Sequence, residues 1–173
     1  MGRRTARRLA IALSCLAVAA CVVNLSFDLD QPGLVLQTSG PQTFTTNILV
    51  DLGNSSDIRA HQNEIRSLDL DYLDVTITAV NANNAATNLT ASFWLQRQQG
   101  DPMVKIGDIP SFAVALHAQH RLNGTPEVDA FLLERLHDGG KFYFVATGTT
   151  DNRTDLVMDV NLHASMGYET GLF

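Results

Sequence analysis

The stretch "LVMDVNLHASMGY", Leu156 to Tyr168, decides the fold. Every even-numbered residue in it is apolar or small, and the odd-numbered residues between them are mostly polar. Side chains of a β-strand point alternately to the two faces of a sheet, so this pattern predicts a long strand with one buried face and one wet face. Antiparallel sheets tolerate one solvated face, and we therefore expect antiparallel strands.

The same alternation recurs along the chain between turn signals. One such signal is "DQPG" at 30–33, whose proline and glycine favour a turn. Residues 102–117 indicate two short strands, broken by Gly107 and Pro110. The other alternating segments are 23–29, 44–52, 68–79, 89–95 and 142–146. Strands at this spacing predict a mainly β fold, an antiparallel immunoglobulin-like β-sandwich of about 7–9 strands.

Two short segments change to a helical period. Residues 56–65 follow serines that can cap a helix, and their apolar residues recur on one helical stripe. Before residues 126–137, Thr125 can cap, and Pro126 takes the first helical position, where a missing N–H costs nothing. We therefore expect two short helices, at about 56–65 and 126–137.

One predicted strand reverses its buried face partway along. Its apolar residues alternate on even numbers up to Leu70 and on odd numbers from Leu73 onwards. A slip of one residue in a two-residue period moves the apolar set to the other face. We therefore expect a β-bulge near Tyr72-Leu73.

The first twenty residues have the layout of a secretory signal peptide. Arginines open the chain, an uncharged run follows from Leu9 to Ala20, and small residues precede Cys21. About twelve helical residues rise about 18 Å, well short of a hydrocarbon core of roughly 30 Å, so the run is too short to remain as an anchor. We expect residues 1–20 to be cleaved and residues 21–173 to form one domain with a short N-terminal tether.

The residues at this cleavage site, "VAAC" from Val18 to Cys21, resemble the lipobox of bacterial lipoproteins. The resemblance implies that Cys21 becomes the first residue of the mature chain and carries the lipid. Several acyl chains on one cysteine anchor a protein stably, whereas one chain does not. Val22 stands where inner-membrane lipoproteins often carry aspartate, which implies the outer membrane. The alternative is an ordinary secretory leader beside a chance cysteine.

The charge balance argues against nucleic acid as a partner. The sequence holds 12 Lys+Arg against 18 Asp+Glu, and loss of the four leader arginines leaves 8 against 18, a net charge of −10. Nucleic-acid phosphates require a basic surface, and an acidic chain gains nothing from anionic lipid headgroups. Membrane attachment would therefore rest on the lipid of Cys21. Because Cys15 leaves with the leader, no thiol chemistry or disulfide is expected.

Three aspartates on one predicted strand form a candidate calcium face: Asp69, Asp71 and Asp74. Calcium prefers converging carboxylates and backbone carbonyls. These residues also fall at positions that a sandwich turns to water, and no EF-hand loop pattern surrounds them. We therefore expect no metal and no other cofactor, and we keep the calcium face as the alternative.

Trp94 is the candidate contact residue. Phe93 and Leu95 take the buried positions of its strand, which leaves Trp94 on the outer face. An outward tryptophan is typical of a sugar or protein contact, because it buries much area at little entropic cost. It can also lie beneath one of the two helices, and we favour this second interpretation.

Three longer stretches resemble known families. "VDLGNSSDIRAHQNEIRSLDLDYLDVTIT" at 50–78 is similar to a strand–helix–strand segment of uncharacterised bacterial lipoproteins. "ITAVNANNAATNLTASFWL" at 77–95 and "FYFVATGTT" at 142–150 resemble the immunoglobulin-like domain of late-embryogenesis type 2 proteins. The second resemblance implies a sandwich fold, with no catalytic residues to transfer.

The sequence predicts a binding protein rather than an enzyme. It holds no nucleophile elbow, phosphate loop or dinucleotide motif. We expect a non-enzymatic, lipid-anchored protein of the bacterial envelope that serves as a binding or adaptor module for an envelope protein. Two alternatives stay open: a carrier of a small apolar ligand in the sandwich core beside the second helix, and a calcium-dependent binding module. A large lined pocket would favour the carrier, and converging carboxylates would favour calcium.

Overall fold

The computed structural model describes residues 21–170, which form eight β-strands and two short α-helices. In chain order the elements are β1 (Cys21–Gln37), β2 (Gln42–Asp51), a 3-10 turn (Leu52–Asn54), α1 (Ser56–His61), β3 (Ile65–Val80), β4 (Asn88–Gln96), β5 (Met103–Ala113), β6 (Gln119–Asn123), α2 (Pro126–His137), β7 (Lys141–Thr150) and β8 (Asp155–Thr170). The strands make two four-stranded antiparallel sheets. The predicted mainly β sandwich of antiparallel strands is confirmed.

The strands pair as if one long hairpin had been wrapped into a sandwich. β4 pairs with β5 at the tip of this hairpin, β3 with β6, β2 with β7, and β1 with β8. Two further pairings, β3 with β8 and β4 with β7, complete the sheets β1-β8-β3-β6 and β2-β7-β4-β5. This order is that of a jelly roll, not the immunoglobulin-like order we expected. Alternation determines which face of a strand is buried but not which strands are neighbours.

The core lies between the two sheets, and β8 shows how the sequence builds it. All seven even-numbered residues from Leu156 to Tyr168 are buried, as the alternation predicts. Phe93, Phe112, Phe142 and Phe144 are the largest fully buried side chains. The rings of Phe93 and Phe144 stack across neighbouring strands with their centroids 5.4 Å apart. Burial of such side chains contributes about 1.5–3 kcal/mol each, so this aromatic layer favours folding.

The predicted bulge in β3 is present. The pairing of β3 with β8 shifts between Leu70 and Tyr72, which leaves Asp71 as the extra residue. Leu70 is buried before the shift and Leu73 after it. The same face of β3 is therefore buried throughout, although its apolar residues change from even to odd numbers.

The "DQPG" segment at 30–33 is a bulge inside one continuous strand, not the turn we expected. The pairing of β1 with β8 shifts between Gln31 and Leu34, and Gly33 adopts a φ of 88°. The N–H of Gly33 donates to Asp159 Oδ1 at 3.0 Å. A left-handed glycine gives the chain room for the extra residues, and the carboxylate across the sheet holds them in place.

The first helix is shorter than predicted, and the second matches its predicted range. α1 ends at His61, because Ile65 already pairs with Tyr168 of β8 and starts β3. α2 spans Pro126–His137, and its buried residues include Val128, Leu132 and Leu136, which join the core.

Residues 102–117 contain one strand, β5 (Met103–Ala113), not the two short strands we expected. β5 runs through Pro110 because it is an edge strand, where a residue without an N–H is tolerated. Its pairing with β4 shifts twice, between Leu89 and Ala91 and between Phe93 and Trp94.

Candidate functional site

The sandwich has two distinct ends. β1 and β8 pair antiparallel from Cys21↔Thr170 to Gln37↔Asp155, so the start of β1 and the finish of β8 share one end, the Cys21 end. The turns at 38–41, 81–87 and 151–154 meet at the opposite end, which we call the loop end. β8 has 16 residues, which at about 3.3 Å each separate the two ends by roughly 50 Å.

A polar groove of about 690 Å³ opens at the loop end. Three chain turns contribute to it, each of which appears in the sequence only as a break between strands. Its lining residues are Gln37, Thr38, Ser39, Gln42, Asn83, Arg153, Thr154 and Asp155. The sequence did not predict this groove, because only the strand order brings the three turns together.

The floor of the loop-end groove is a rigid threonine cluster. Thr38 and Thr154 are buried, and their backbones exchange two hydrogen bonds, Thr38 N to Thr154 O at 2.8 Å and Thr154 N to Thr38 O at 3.3 Å. The N–H of Thr154 also donates to Thr38 Oγ1 at 3.0 Å. The hydroxyls of Thr38 and Thr150 lie 3.4 Å apart. Buried polar groups that are satisfied in this way hold one arrangement, so the floor is preorganised.

The acidic residue that lines the groove, Asp155, holds neighbouring chain segments in place. Asp155 accepts hydrogen bonds from Asn81 Nδ2 at 2.8 Å and from Gln37 Nε2 at 3.2 Å, and these bonds lower the pKa of its carboxyl group. On the other side of the rim, Arg153 Nε donates to Asn83 O at 2.6 Å. The groove therefore offers neutral hydrogen-bonding side chains, one guanidinium and one carboxylate on a fixed frame, which suits recognition of a polar ligand.

The three aspartates of the candidate calcium face do not act as one site. Asp74 is buried and forms two hydrogen bonds with Arg121, at 2.8 Å and 2.6 Å. Asp71 accepts from Ser165 Oγ at 2.7 Å, while Asp69 is exposed. Residues 21–170 contain no group of three or more His, Cys, Asp or Glu side chains that could hold a metal. The expectation that all three face water is wrong for Asp74, which Arg121 covers.

A hydrogen-bonded network on the same outer face was not foreseen. His163 Nδ1 lies 2.8 Å from Asp28 Oδ1, and the ring stacks on Tyr72 at 4.7 Å. Ser165 donates to Asp71 and not to the imidazole, so the serine and the histidine are not arranged as a nucleophile and its base. These residues lie opposite one another on the neighbouring strands β1, β8 and β3, on the outer face of the sheet. Their contacts connect the three strands.

Trp94 lies on the outer face of the sheet β2-β7-β4-β5, as its position between the buried Phe93 and Leu95 predicts. It is half-buried; its indole Nε1 donates to Thr147 Oγ1 at 3.1 Å, and Lys105 Nζ lies 5.3 Å from the ring centroid. α2 directs its buried residues into the core, and the favoured interpretation, a position beneath a helix, stays a prediction. Trp94 remains a candidate contact residue.

The surface beside α2 is an open depression and not an enclosed apolar chamber. It is lined by Met103, Val104, Lys105, Ile106, Thr125 and Glu127. The buried face of α2 fills the adjoining core. The carrier alternative therefore gains no support from this region.

Cys21, the candidate lipidation site, is the first residue of β1 and pairs with Thr170. The predicted signal peptide, residues 1–20, lies outside the described residues. The expected short tether is thus part of the first strand. In the described part of the chain, no helix combines the length and the apolar character needed to cross a membrane.

The comparisons with known proteins concern the fold. No protein-family model matches the sequence, and no curated protein matches it significantly. Among solved structures, that of Desmodium yellow mottle tymovirus is 9% identical with a TM-score of 0.40, over 90% of this chain and 93% of that one. Turnip yellow mosaic virus is 14% identical with a TM-score of 0.39, over 99% and 93%. The decameric BFDV capsid protein is 9% identical with a TM-score of 0.44, over 84% and 98%. Similarity at this level does not indicate what this chain does.

Proposed function

We propose that this chain is a non-enzymatic binding module of the bacterial envelope, tethered to the membrane by lipid on Cys21, that binds a protein partner at its loop end. The observation that carries the proposal is the position of Cys21. It stands directly after the signal-like run of the sequence and begins β1, at the opposite end of the sandwich from the loop-end groove.

This layout gives each end a separate role. With the lipid on the first residue of β1, the sandwich would stand close to the membrane, and the groove would lie up to roughly 50 Å away from it, at the rise per residue of a strand. The preorganised threonine floor and the polar rim, which carries one guanidinium and one carboxylate, favour a polar polypeptide surface as the ligand. Val22 after the cysteine favours the outer membrane.

The tether is tested by comparing the wild-type chain with Cys21→Ala in membrane fractions of a bacterial host. We expect the wild type to fractionate with the membrane, with an intact mass that starts at Cys21 and includes diacylglycerol and acyl groups. Cys21→Ala should lose both the added mass and the membrane association. An unmodified wild-type chain in the soluble fraction would contradict the tether.

The binding end is tested with a photo-crosslinking residue at Ser39, on the groove, and with the same residue at Asn63 as the matched control. Both positions are exposed, and Asn63 lies beyond α1 near the Cys21 end. We expect a discrete adduct from Ser39 and none from Asn63. Equal adducts from both positions, or none from Ser39, would contradict binding at the loop end.

A further inference from the structure

Each sheet has two edge strands, and an edge presents unpaired N–H and C=O groups to any extended chain that comes near. The edges here are β1 and β6 in one sheet and β2 and β5 in the other. Natural proteins block such edges with charges, prolines, bulges or short strands.

Three of the four edges carry these protections. β1 has the Pro32 bulge with Asp28 and Asp30 beside it, and β6 is only 5 residues long. β5 contains Lys105 and Pro110, and its pairing with β4 shifts twice.

From Gln42 to Val50, β2 carries none of them. Its 10 residues pair with β7 in one unbroken register from Gln42↔Thr150 to Asp51↔Lys141. From Gln42 to Val50 it contains no charge and no proline, and it is rich in threonine and β-branched or aromatic residues, which favour extended structure. Among the described strands, β2 pairs with β7 alone.

A groove of about 310 Å³ lies beside this edge, between the end of β1 and the start of β2. Its lining residues are Val35, Leu36, Gln37, Thr38, Gln42, Thr43, Phe44, Thr45 and Thr46, none of which is charged. Across the groove, Thr46 Oγ1 donates to Val35 O at 2.9 Å, a side-chain bond to the other edge. The groove shares Gln37, Thr38 and Gln42 with the loop-end groove, so the two are continuous.

We propose that the edge of β2 binds an extended, uncharged segment of the partner protein, which adds to the sheet as a fifth strand. This inference rests on the proposed function, because it continues the loop-end groove. Strand addition draws its affinity from main-chain hydrogen bonds and its specificity from side-chain pockets at alternate positions. The unbroken register of β2 allows the main-chain hydrogen bonds, and the uncharged groove beside Val35 and Phe44 provides the side-chain pockets.

A second copy of the chain fits this edge less well than a partner segment does. Paired antiparallel through a twofold axis, the second copy would place its Cys21 end at the opposite pole from that of the first copy. Two chains tethered at Cys21 to one membrane cannot both satisfy that arrangement. Parallel pairing would avoid the conflict but is slightly less stable per residue.

The test is hydrogen–deuterium exchange on the full chain with a capped peptide of alternating threonine and valine, matched in length to Gln42–Val50. The control peptide has the same sequence with alternate amides N-methylated, which removes the donors that strand pairing needs. We expect the unmodified peptide to slow exchange at least tenfold in β2. β5, the other edge of the same sheet, should not change and serves as the internal control.

Each possible result decides whether a strand adds to the edge of β2. Protection of β2 by the unmodified peptide alone supports strand addition. Equal protection by both peptides, protection confined to another edge, or no protection overturns it.

The photo-crosslinker placed at Thr45, in addition to Ser39, separates this inference from the proposed function. Thr45 is exposed and lines the groove beside β2. An adduct from Ser39 without one from Thr45 would overturn the strand addition and leave the loop-end site standing. The absence of adducts from both positions would overturn both.

Discussion

Alanine at Gly148 is expected to destabilise the sandwich strongly. Gly148 lies in β7, a central strand, opposite Phe44 of β2 and Ala91 of β4. A Cβ at this position would meet Thr90 O at 1.9 Å and Phe44 Cζ at 2.9 Å. The first contact is with a backbone oxygen, so it cannot be relieved by a side-chain rotation.

The size of the effect follows from the distance. Ordinary contact begins near 3.4 Å, so β4 and β7 would have to separate by about 1.5 Å at this point. Overpacking of a core costs about 1–3 kcal/mol, and more where the backbone must move, so we expect a loss of about 3 kcal/mol or more. For a domain of this size that corresponds to a fall in Tm of about 6–12 °C.

The assay is thermal and denaturant unfolding of the variant, followed by circular dichroism. The matched control is Gly40→Ala, in the turn between β1 and β2, where an added Cβ meets nothing within 4 Å. We expect the control to stay within about 0.5 kcal/mol of the wild type. If Gly148→Ala were as stable as Gly40→Ala, the close approach of β4 to β7 would be refuted.

Three further variants test the contacts that hold the loops and the outer face. Thr125→Ala removes the cap of α2 and should lower the free energy of unfolding by about 1 kcal/mol in denaturant melts; an unchanged midpoint would contradict the capping role. The hydroxyl of Thr87, with nearby backbone N–H groups, lowers the pKa of Asp151, so this carboxylate stabilises the fold above its ordinary pKa and loses that effect as pH falls through the lowered value. Asp151→Asn should therefore be less stable than the wild type at pH 7, with the difference shrinking below about pH 4; a difference that does not depend on pH would refute this. Arg121→Ala leaves Asp74 buried without its partner and should lower Tm, whereas Arg121→Ala combined with Asp74→Leu should recover part of the loss; a double variant no more stable than the single one would argue against the pair.

Local features of the fold were predictable from the sequence because they depend on neighbouring residues. The burial of β8 and the bulge at Asp71 follow from which alternate residues are apolar, and the range of α2 follows from its cap and its helical period. The errors occurred where a distant strand decides the outcome. α1 stops at His61 because Ile65 pairs with Tyr168, more than a hundred residues away.

The candidate site was less predictable than the fold. The loop-end groove joins residues from three turns, and no local pattern shows that Thr38 and Thr154 share backbone hydrogen bonds. Cys21 and Trp94 could be named as candidates from the sequence because each is unusual within its own segment, whereas the edge of β2 has significance only once its neighbours are known. An uncharged strand is ordinary inside a sheet and exposed to pairing only at its edge.

The jelly-roll order explains why the edge of β2 and the loop-end groove lie side by side. Wrapping the long hairpin puts the end of β1 next to the start of β2, since only the turn at 38–41 separates them in the chain. A segment that enters at the loop end can therefore continue along β2 towards the Cys21 end. It would stop at Asp51, whose carboxylate accepts from Gly53 N at 2.8 Å and lies 3.5 Å from Lys141 Nζ. The uncharged edge from Gln42 to Val50 thus limits the added strand to about nine residues, or roughly 30 Å. The proposed partner segment would have about this length and would contain no charged residue and no proline.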